Sequence, residues 1–363
     1  MGRNDSKRMA YIDVMKGISI ILVVVMHALM NNAVRNTDSE YAVLINFCAY
    51  AAVPAFFFIN GYLYNHNYSL TPVRSVIRKF KAYYIPFVCF SFFFWLFHNV
   101  FVSLYMTSEP AYSITDYIKN FVLIFMLHME SELNGPMWFL RALLIMVCMY
   151  IVIEYFCYKL QTRKSRYIVL TAIVILMFLL GKFGLITKVY NLNRIFYSMS
   201  FFYMGILFRE FRLESFATRY KVGVFVVGLA VHAIYSLVYM GGLGVNVGLR
   251  DLPASYFGIL WIFAFSMFPL IHKSRLLELL GRASLDIMAL HFVVFKLVSF
   301  VYITLLDLEI TRLREMPVLK DFHGLFYVPY IIVALVVCTI EYKIRIKIKN
   351  IIKKSEIKES RYV

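Results

Sequence analysis

Apolar side chains fill long runs of the chain, and short polar segments, most of them basic, separate these runs. Runs of about 17 to 24 residues match the length of an α-helix that crosses a bilayer core roughly 30 Å thick. The pattern therefore predicts an all-α polytopic membrane protein, a single bundle of about ten transmembrane helices. The predicted spans are 15–31, 43–64, 83–106, 137–158, 167–186, 194–209, 220–240, 253–271, 283–305 and 324–342.

The basic residues between the spans predict the orientation. With the N-terminus inside, 27 of the 38 Lys and Arg residues fall in cytoplasmic segments and seven on the opposite side. This alternation follows the positive-inside rule, and a bundle of nine or eleven helices would destroy it. We therefore expect both termini in the cytoplasm. The first apolar run resembles a signal peptide, but no small-residue cleavage site follows, so we interpret it as a retained span.

Residues 1–342 are predicted to form the transmembrane domain, and 343–363 a basic cytoplasmic tail. The tail alternates isoleucine with lysine and arginine. Such a segment suits a surface of anionic lipid headgroups. No internal repeat and no soluble domain is evident in the rest of the chain.

Composition supports an integral protein of the inner (plasma) membrane and excludes other classes. The chain is 61% hydrophobic and only 16% charged, more apolar than a soluble domain of 363 residues could cover. The net charge of +17 accompanies no nucleic-acid-binding motif, so nucleic acid is not an expected partner. The five cysteines lie in apolar runs without CxxC spacing, which favours neither disulfides nor a metal site.

Ionisable residues inside a span are costly and indicate function. Lys16 and His27 in the first span are eleven residues apart, which places them on one helical face about 16 Å apart along the axis. Asp13 lies on the same face, and Ile20 and Val23 fill the stripe between the polar ends. These positions make Asp13, Lys16 and His27 candidate catalytic residues.

The ninth span carries a second polar group. Ser284 and His291 are seven residues apart and share a face, whereas Asp286 points elsewhere and lies four residues after Arg282. Asp286 is therefore either a site residue or the partner of a local ion pair with Arg282.

Two further stretches carry polar or charged candidates, one around the end of the second predicted span and one at the start of the fourth. Asn60 ends an aromatic run, and Arg78 and Lys81 follow in a basic loop. This loop either binds phosphate groups or carries only the positive charge that is usual for cytoplasmic loops. Trp138 is expected as an interfacial anchor, and Arg141, one turn deeper, is expected to face the bundle interior. Glu154, Lys182 and Arg194 lie near span ends and are expected to snorkel to the interface.

With these residues assembled, the chain resembles the integral-membrane acyltransferase family 3, which includes sugar and polysaccharide O-acetyltransferases. The family's basic residue and histidine of the first helix match Lys16 and His27, and further motifs match FFFINGY, the basic pair Arg78 and Lys81, WFL, and Gly281–His291. Asn60 stands where serine is common, Lys81 where arginine is common, and Met288 where tyrosine is usual. The matches run in order over most of the chain.

The resemblance implies an acyl-coenzyme A donor, usually acetyl-CoA, no metal, and an acceptor hydroxyl on a glycan or glycolipid. It also implies that His27 and Lys16 are essential. We expect Arg78, Lys81 and Lys16 to hold the donor's phosphates, with Asn60 beside them and the pantetheine arm along Ile20 and Val23. His27 would then be either a general base or an acyl relay.

The remaining polar positions fit an acceptor site. Arg141 and the acidic segment 107–136 are expected to line an acceptor entrance on the outer side. The competing class is a secondary transporter or flippase for a sugar-containing substrate, because a bundle with intramembrane ionisable groups fits it equally well. Transporters of this size usually show inverted repeats.

Overall fold

The computed structural model describes residues 9–35, 40–128, 131–160, 162–183, 192–238 and 252–359, with side chains except at 31–35, 40 and 353–359. The ends of the predicted spans at 184–186 and 239–240, and residues 1–8 and 360–363, lie outside this description. Every regular element in the described ranges is helical, which confirms the all-α prediction. The helices are α1 Ala10–Arg35, α2 Glu40–Tyr62, α3 Asn67–Leu70, α4 Pro72–Leu96, α5 His98–Ser103, α6 Ile114–Phe125, α7 Trp138–Cys157, α8 Arg163–Lys182, α9 Leu192–Glu210, α10 Leu213–Arg219, α11 Lys221–Val238, α12 Leu252–Ser266, α13 Pro269–His272, α14 Arg275–Arg282, α15 Ser284–Leu305 and α16 Val328–Glu359.

Seven stretches of the described chain are helical, long and apolar enough to cross a membrane. The helix α12 is apolar but shorter, and α9 coincides with the predicted span 194–209. The predicted span 83–106 overlaps α4, which begins earlier at Pro72 and ends at Leu96, and α5. All ten predicted spans therefore overlap helices, and the count of ten crossings stays a prediction. The seven stretches are Ala10–Met30, Tyr41–Tyr62, Gly135–Cys157, Arg163–Lys182, Lys221–Val238, Ser284–Leu305 and Gly324–Ile352.

The first helix lies inside the bundle. It packs against α2, α12, α14, α15 and α16, and residues on several of its sides, among them Val14, Met15 and Val24, are fully buried. Apolar residues recur on several sides of α1, which suits a helix that packs against neighbours on those sides. Polar groups carried by α1 consequently face protein neighbours.

Backbone contact through glycines joins α1 to α14. A Cβ atom added to Gly17 would lie 2.1 Å from the carbonyl oxygen of Leu277, and one on Gly281 would lie 1.8 Å from that of Asp13. Small residues let membrane helices approach this closely, and any side chain here would force them apart. Gly17 and Gly281 therefore have a packing role at this crossing.

A second glycine crossing explains part of the FFFINGY stretch. A Cβ on Gly61 of α2 would lie 1.8 Å from the carbonyl oxygen of Phe202 on α9, and one on Gly205 would lie 2.1 Å from that of Phe58. The glycine of this motif thus fixes the α2–α9 contact.

The segments predicted to be cytoplasmic meet at one end of the bundle. The hydroxyls of Tyr11 and Tyr62 are hydrogen-bonded at 2.8 Å, which joins the start of α1 to the end of α2. Arg209 at the end of α9 donates to the carbonyls of Tyr62 and Tyr64. At the opposite end, the backbone of Gly324 donates to the Tyr41 hydroxyl at the start of α2.

The last helix is longer than a membrane crossing requires. Its 32 residues span about 48 Å, against a bilayer core of about 30 Å. The predicted boundary between residues 342 and 343 falls inside α16, so the start of the basic tail continues the helix without a break.

Candidate active site

Two histidines from distant parts of the chain meet in the bundle. Nδ1 of His27 on α1 lies 3.0 Å from Nε2 of His291 on α15, and the two rings are stacked with centroids 5.0 Å apart. His291 is fully buried, whereas His27 is partly exposed. The pair therefore joins the fully buried imidazole of His291 to a histidine that is partly exposed as a residue.

His291 is also anchored to its own helix. Its Nδ1 lies 2.8 Å from the carbonyl oxygen of Ile287 and 3.0 Å from that of Met288. These contacts hold the ring so that Nε2 points at His27. The spacing of Ser284 and His291 placed His291 on one face of its helix but could not reveal its direct contact with His27.

The ring of Phe292 borders the histidine pair, and Gly135 lies against that ring. The ring of Phe292 meets both imidazoles, with centroids 5.0 Å from His27 and 4.7 Å from His291. Gly135, an exposed residue just before α7, lies against Phe292, since its Cβ would be 3.7 Å from that ring. The segment that leads into the WFL motif is therefore beside the histidine pair.

The N-terminal end of α1, predicted to be cytoplasmic, holds an ionic cluster. The buried Asp13 carboxylate lies 3.7 Å from both Lys16 Nζ and Arg282 Nε, and Arg282 also pairs with Glu278. Asp13 thus ties Lys16 to the α14 side of the bundle. Lys16 keeps 27% of its side chain exposed, so it remains accessible to a ligand.

The predicted path along α1 between Lys16 and His27 is wrong. Ile20 is 1% exposed and Val23 6%, because packing against neighbouring helices closes that stripe. The partly exposed residues between the two polar ends are Ile21, Leu22, Val25 and Met26. A bound chain would have to follow this adjacent face.

The predicted alternative for Asp286, a local ion pair with Arg282, is also wrong. Asp286 is 1% exposed and accepts two hydrogen bonds from Arg345 of α16, at 2.9 and 2.7 Å. Spacing within one helix could not reveal a partner 59 residues away. Ser284 is the first residue of α15, about 10 Å along the helix from His291, so it does not reach the histidine pair.

The residues predicted as a basic loop form the first turns of helix α4 instead, and they hold an aromatic and cationic cluster. The guanidinium of Arg78 and the ammonium of Lys79 lie 4.6 and 4.7 Å from the ring centroid of Tyr68. Lys79 also lies over Tyr83, whose hydroxyl donates to Asn60 at 2.8 Å. Asn60 is therefore linked to this cluster.

Lys79 is the residue that sequence reasoning missed here. Lys81 and Arg78 are exposed, whereas Lys79 is half-buried between two tyrosines. Burial, and then the charge of Arg78, lowers the pKa of Lys79 below its ordinary value. Among the described residues, neither Arg78 nor Lys79 belongs to an ion pair. The aromatic residues at 68 and 83 were the available signal.

A buried carboxylate and a histidine form a third cluster near the basic residues of α4. Glu154 is fully buried, so it does not snorkel as predicted; Tyr64 donates to it at 2.8 Å and His66 is hydrogen-bonded to it. The other nitrogen of His66 lies 3.3 Å from Glu210. Burial lowers the pKa of His66, but the hydrogen bond and charge of Glu154, with Glu210, outweigh it and raise that pKa.

The outer-side candidates are dispersed around the start of α7. Arg141 is 1% exposed, so it faces the interior as its position predicts, and it donates to the carbonyl of Leu127 at 3.0 Å. Trp138 is partly exposed, with the guanidinium of Arg194 5.6 Å from its ring centroid. Neither side chain is among the ring or hydrogen-bond contacts of the histidine pair.

The acidic outer segment is ordered by its own hydrogen bonds. Glu132 accepts from the Thr107 hydroxyl at 2.7 Å and from Ser108 through both backbone and hydroxyl. Burial raises the pKa of Glu132, but these hydrogen bonds outweigh it and hold that pKa below its ordinary value. Glu130 lies outside the described residues.

Comparison with known proteins gives one match. The model of acyltransferase family 3, an acyltransferase domain, matches residues 9–343 and so includes every candidate residue named above. Searches of curated proteins and of solved structures gave no match.

Proposed function

The chain belongs to acyltransferase family 3 and is a membrane acyltransferase, and on this premise we propose that it moves an acetyl group from acetyl-CoA to a hydroxyl of a glycan or lipid-linked saccharide. The observation that carries this proposal is the contact of His27 with His291, which joins a partly exposed histidine to a fully buried one inside a helical bundle. In this proposal ten helices cross the inner membrane, and both termini are cytoplasmic.

The reaction requires either a base at the acceptor hydroxyl or a nucleophile at the acyl carbon. The thioester C–S bond breaks, an ester C–O bond forms, and the proton of the acceptor hydroxyl ends on the coenzyme A sulfur. A histidine can take that proton as general base, or it can take the acyl group first and pass it to the hydroxyl. His27 suits either role, because the residue is partly exposed and its Nδ1 is held by His291.

Donor binding is assigned to the cationic cluster at the cytoplasmic end. Coenzyme A carries phosphates, and Arg78 and Lys79 are adjacent cations held on one ring without a carboxylate between them. Charge-assisted hydrogen bonds to phosphate would relieve their mutual repulsion. The exposed Lys81 and the partly exposed Lys16 add positive charge, and Asn60 orients Tyr83.

Acceptor binding is assigned to the other end of the bundle. Gly135 and Phe292 border His27, and the ordered acidic segment with Glu132 lies before them in the chain. A sugar hydroxyl arriving beside Gly135 would meet the partly exposed His27. Arg141 and Trp138 support this region through α7.

Radiolabelled acetyl-CoA tests the proposal directly. Membranes containing the protein should transfer label covalently to glycan or glycolipid, and His27→Ala should lower the transfer rate at least 10²-fold, the lower range for a positioned general base. His323→Ala is the matched control, since His323 is exposed and remote from His291 in the chain. Full activity of His27→Ala would refute the mechanism, and substrate flux without acylation would support a transporter.

A further inference from the structure

The contacts of His291 determine where its proton lies. Its Nδ1 faces two carbonyl oxygens, of Ile287 and Met288, and a carbonyl oxygen only accepts hydrogen bonds. Nδ1 of His291 must therefore carry a hydrogen and donate it.

The surroundings of the pair indicate a neutral imidazole at His291. The ring is fully buried, and no carboxylate among the described residues is within ion-pair distance of His27 or His291. An isolated charge there would be costly. With its single proton on Nδ1, His291 presents a lone pair at Nε2.

This arrangement dictates the tautomer of His27. Since Nε2 of His291 can only accept, Nδ1 of His27 must donate across the 3.0 Å contact. We propose that His291 is a positioning residue that holds His27 in the Nδ1-protonated form, so that Nε2 of His27 is the nitrogen that reacts. This inference rests on the proposed function for the reaction itself, and on geometry alone for the tautomer.

Both versions of the chemistry then use the same atom. As a base, Nε2 of His27 takes the hydroxyl proton and later gives it to the departing thiolate. As a relay, Nε2 attacks the thioester carbonyl, the C–S bond breaks to release the thiolate, and the Nδ1 proton of His27 passes to Nε2 of His291. The acceptor hydroxyl then attacks the acyl carbon and the C–N bond breaks, while His291 returns its proton to Nδ1 of His27 and the hydroxyl proton ends on the thiolate. In that second case the carbonyls of Ile287 and Met288 stabilise the resulting imidazolium of His291.

Nitrogen NMR of histidine-labelled protein in lipid tests the tautomer without any substrate. The signals of His27 are identified as those lost in His27→Gln. We expect a protonated Nδ1 and an unprotonated Nε2 for His27, with a coupling or distance signature across to Nε2 of His291. A His27 protonated on Nε2 in the wild-type protein would overturn the proposal.

Two substitutions test the consequence for activity. His291→Phe keeps an aromatic ring against Phe292 but removes the acceptor, and we expect about a 10²-fold loss of transfer rate. His291→Gln offers an amide oxygen near the position of Nε2 and should recover most of that loss. Equal losses in both variants would contradict the role of the acceptor atom.

The controls separate positioning from folding and from the proposed function. His232 is also fully buried with its nitrogens at backbone carbonyls, but it lies on α11, so His232→Phe should leave the transfer rate within about twofold. If wild-type protein transfers no acyl group while its spectrum shows the expected tautomer, the proposed function fails and the tautomer assignment stands. If transfer occurs and the tautomer is reversed, the positioning role fails alone.

Discussion

The ring of Tyr68 contacts two cations, Arg78 and Lys79, and this contact distinguishes Lys79 from the nearby Lys81. Lys79 lies between Tyr68 and Tyr83, whereas Lys81 is exposed. We expect Lys79→Gln to raise the KM for acetyl-CoA about tenfold, because a hydrogen bond to a charged group contributes roughly 1.5 kcal/mol or more. Lys81→Gln, the matched control, should change KM less than threefold. Initial-rate kinetics decide between them, and the reverse order would assign the phosphate contact to Lys81.

His66 makes the stability of its loop dependent on pH. Its folded pKa is raised, so the stabilisation is fully present below the unfolded value of about 6.5 and is lost as pH rises through the folded pKa. Hydrogen exchange in the segment from Leu63 to Thr71, corrected for intrinsic rates, should therefore show less protection at pH 9 than at pH 6. His66→Gln should flatten this dependence; an unchanged slope in the variant would show that another group is responsible.

The sequence could predict only those side-chain positions that follow from the period of a single helix. Asp13, Lys16 and His27 share one helix, so their relation followed from 3.6 residues per turn. The pair of His27 with His291 and the pair of Asp286 with Arg345 join separate helices. Periodicity gives the face of each residue on its own helix but carries no information on which helix lies opposite.

At the scale of elements, the crossing of α1 and α14 depends on the absence of side chains. We expect Gly17→Ala to lower the thermal unfolding midpoint markedly, because its methyl group would collide with a backbone carbonyl that cannot move aside. Gly223 on α11 is the matched control, since nothing lies within 4 Å of its added Cβ. There the alanine should be neutral or stabilising by up to about 1 kcal/mol, as helix propensity predicts.

Thermal unfolding in detergent, followed by size-exclusion chromatography, measures both variants. A Gly17→Ala protein as stable as the Gly223→Ala protein would mean that the two helices separate easily. The sequence predicted the existence of all the described long helices from their apolar length. It did not predict this crossing, because glycine in an apolar run has the same appearance at a helix contact and at a lipid face.

At the scale of the whole molecule, cysteine labelling tests the orientation of the bundle in the membrane directly. A variant with its five cysteines replaced, carrying a single cysteine at His323 or at Thr71, allows labelling by an impermeant maleimide. We expect His323→Cys to react in intact cells and Thr71→Cys to react only after permeabilisation, because positive-inside charge places the basic loop in the cytoplasm. Reaction of both, or the reverse pattern, would refute the predicted topology.

The glycine crossing has a mechanical consequence for the active site. Gly17 and Gly281 hold α1 and α14 in backbone contact, and His27, which meets His291, lies ten residues further along α1. A tilt of α1 by only about 5° about this glycine crossing would shift His27, about 15 Å away, by about 1.3 Å. That displacement is enough to break a hydrogen bond of 3.0 Å. The angle at which α1 crosses α14 therefore sets the spacing of the two imidazoles.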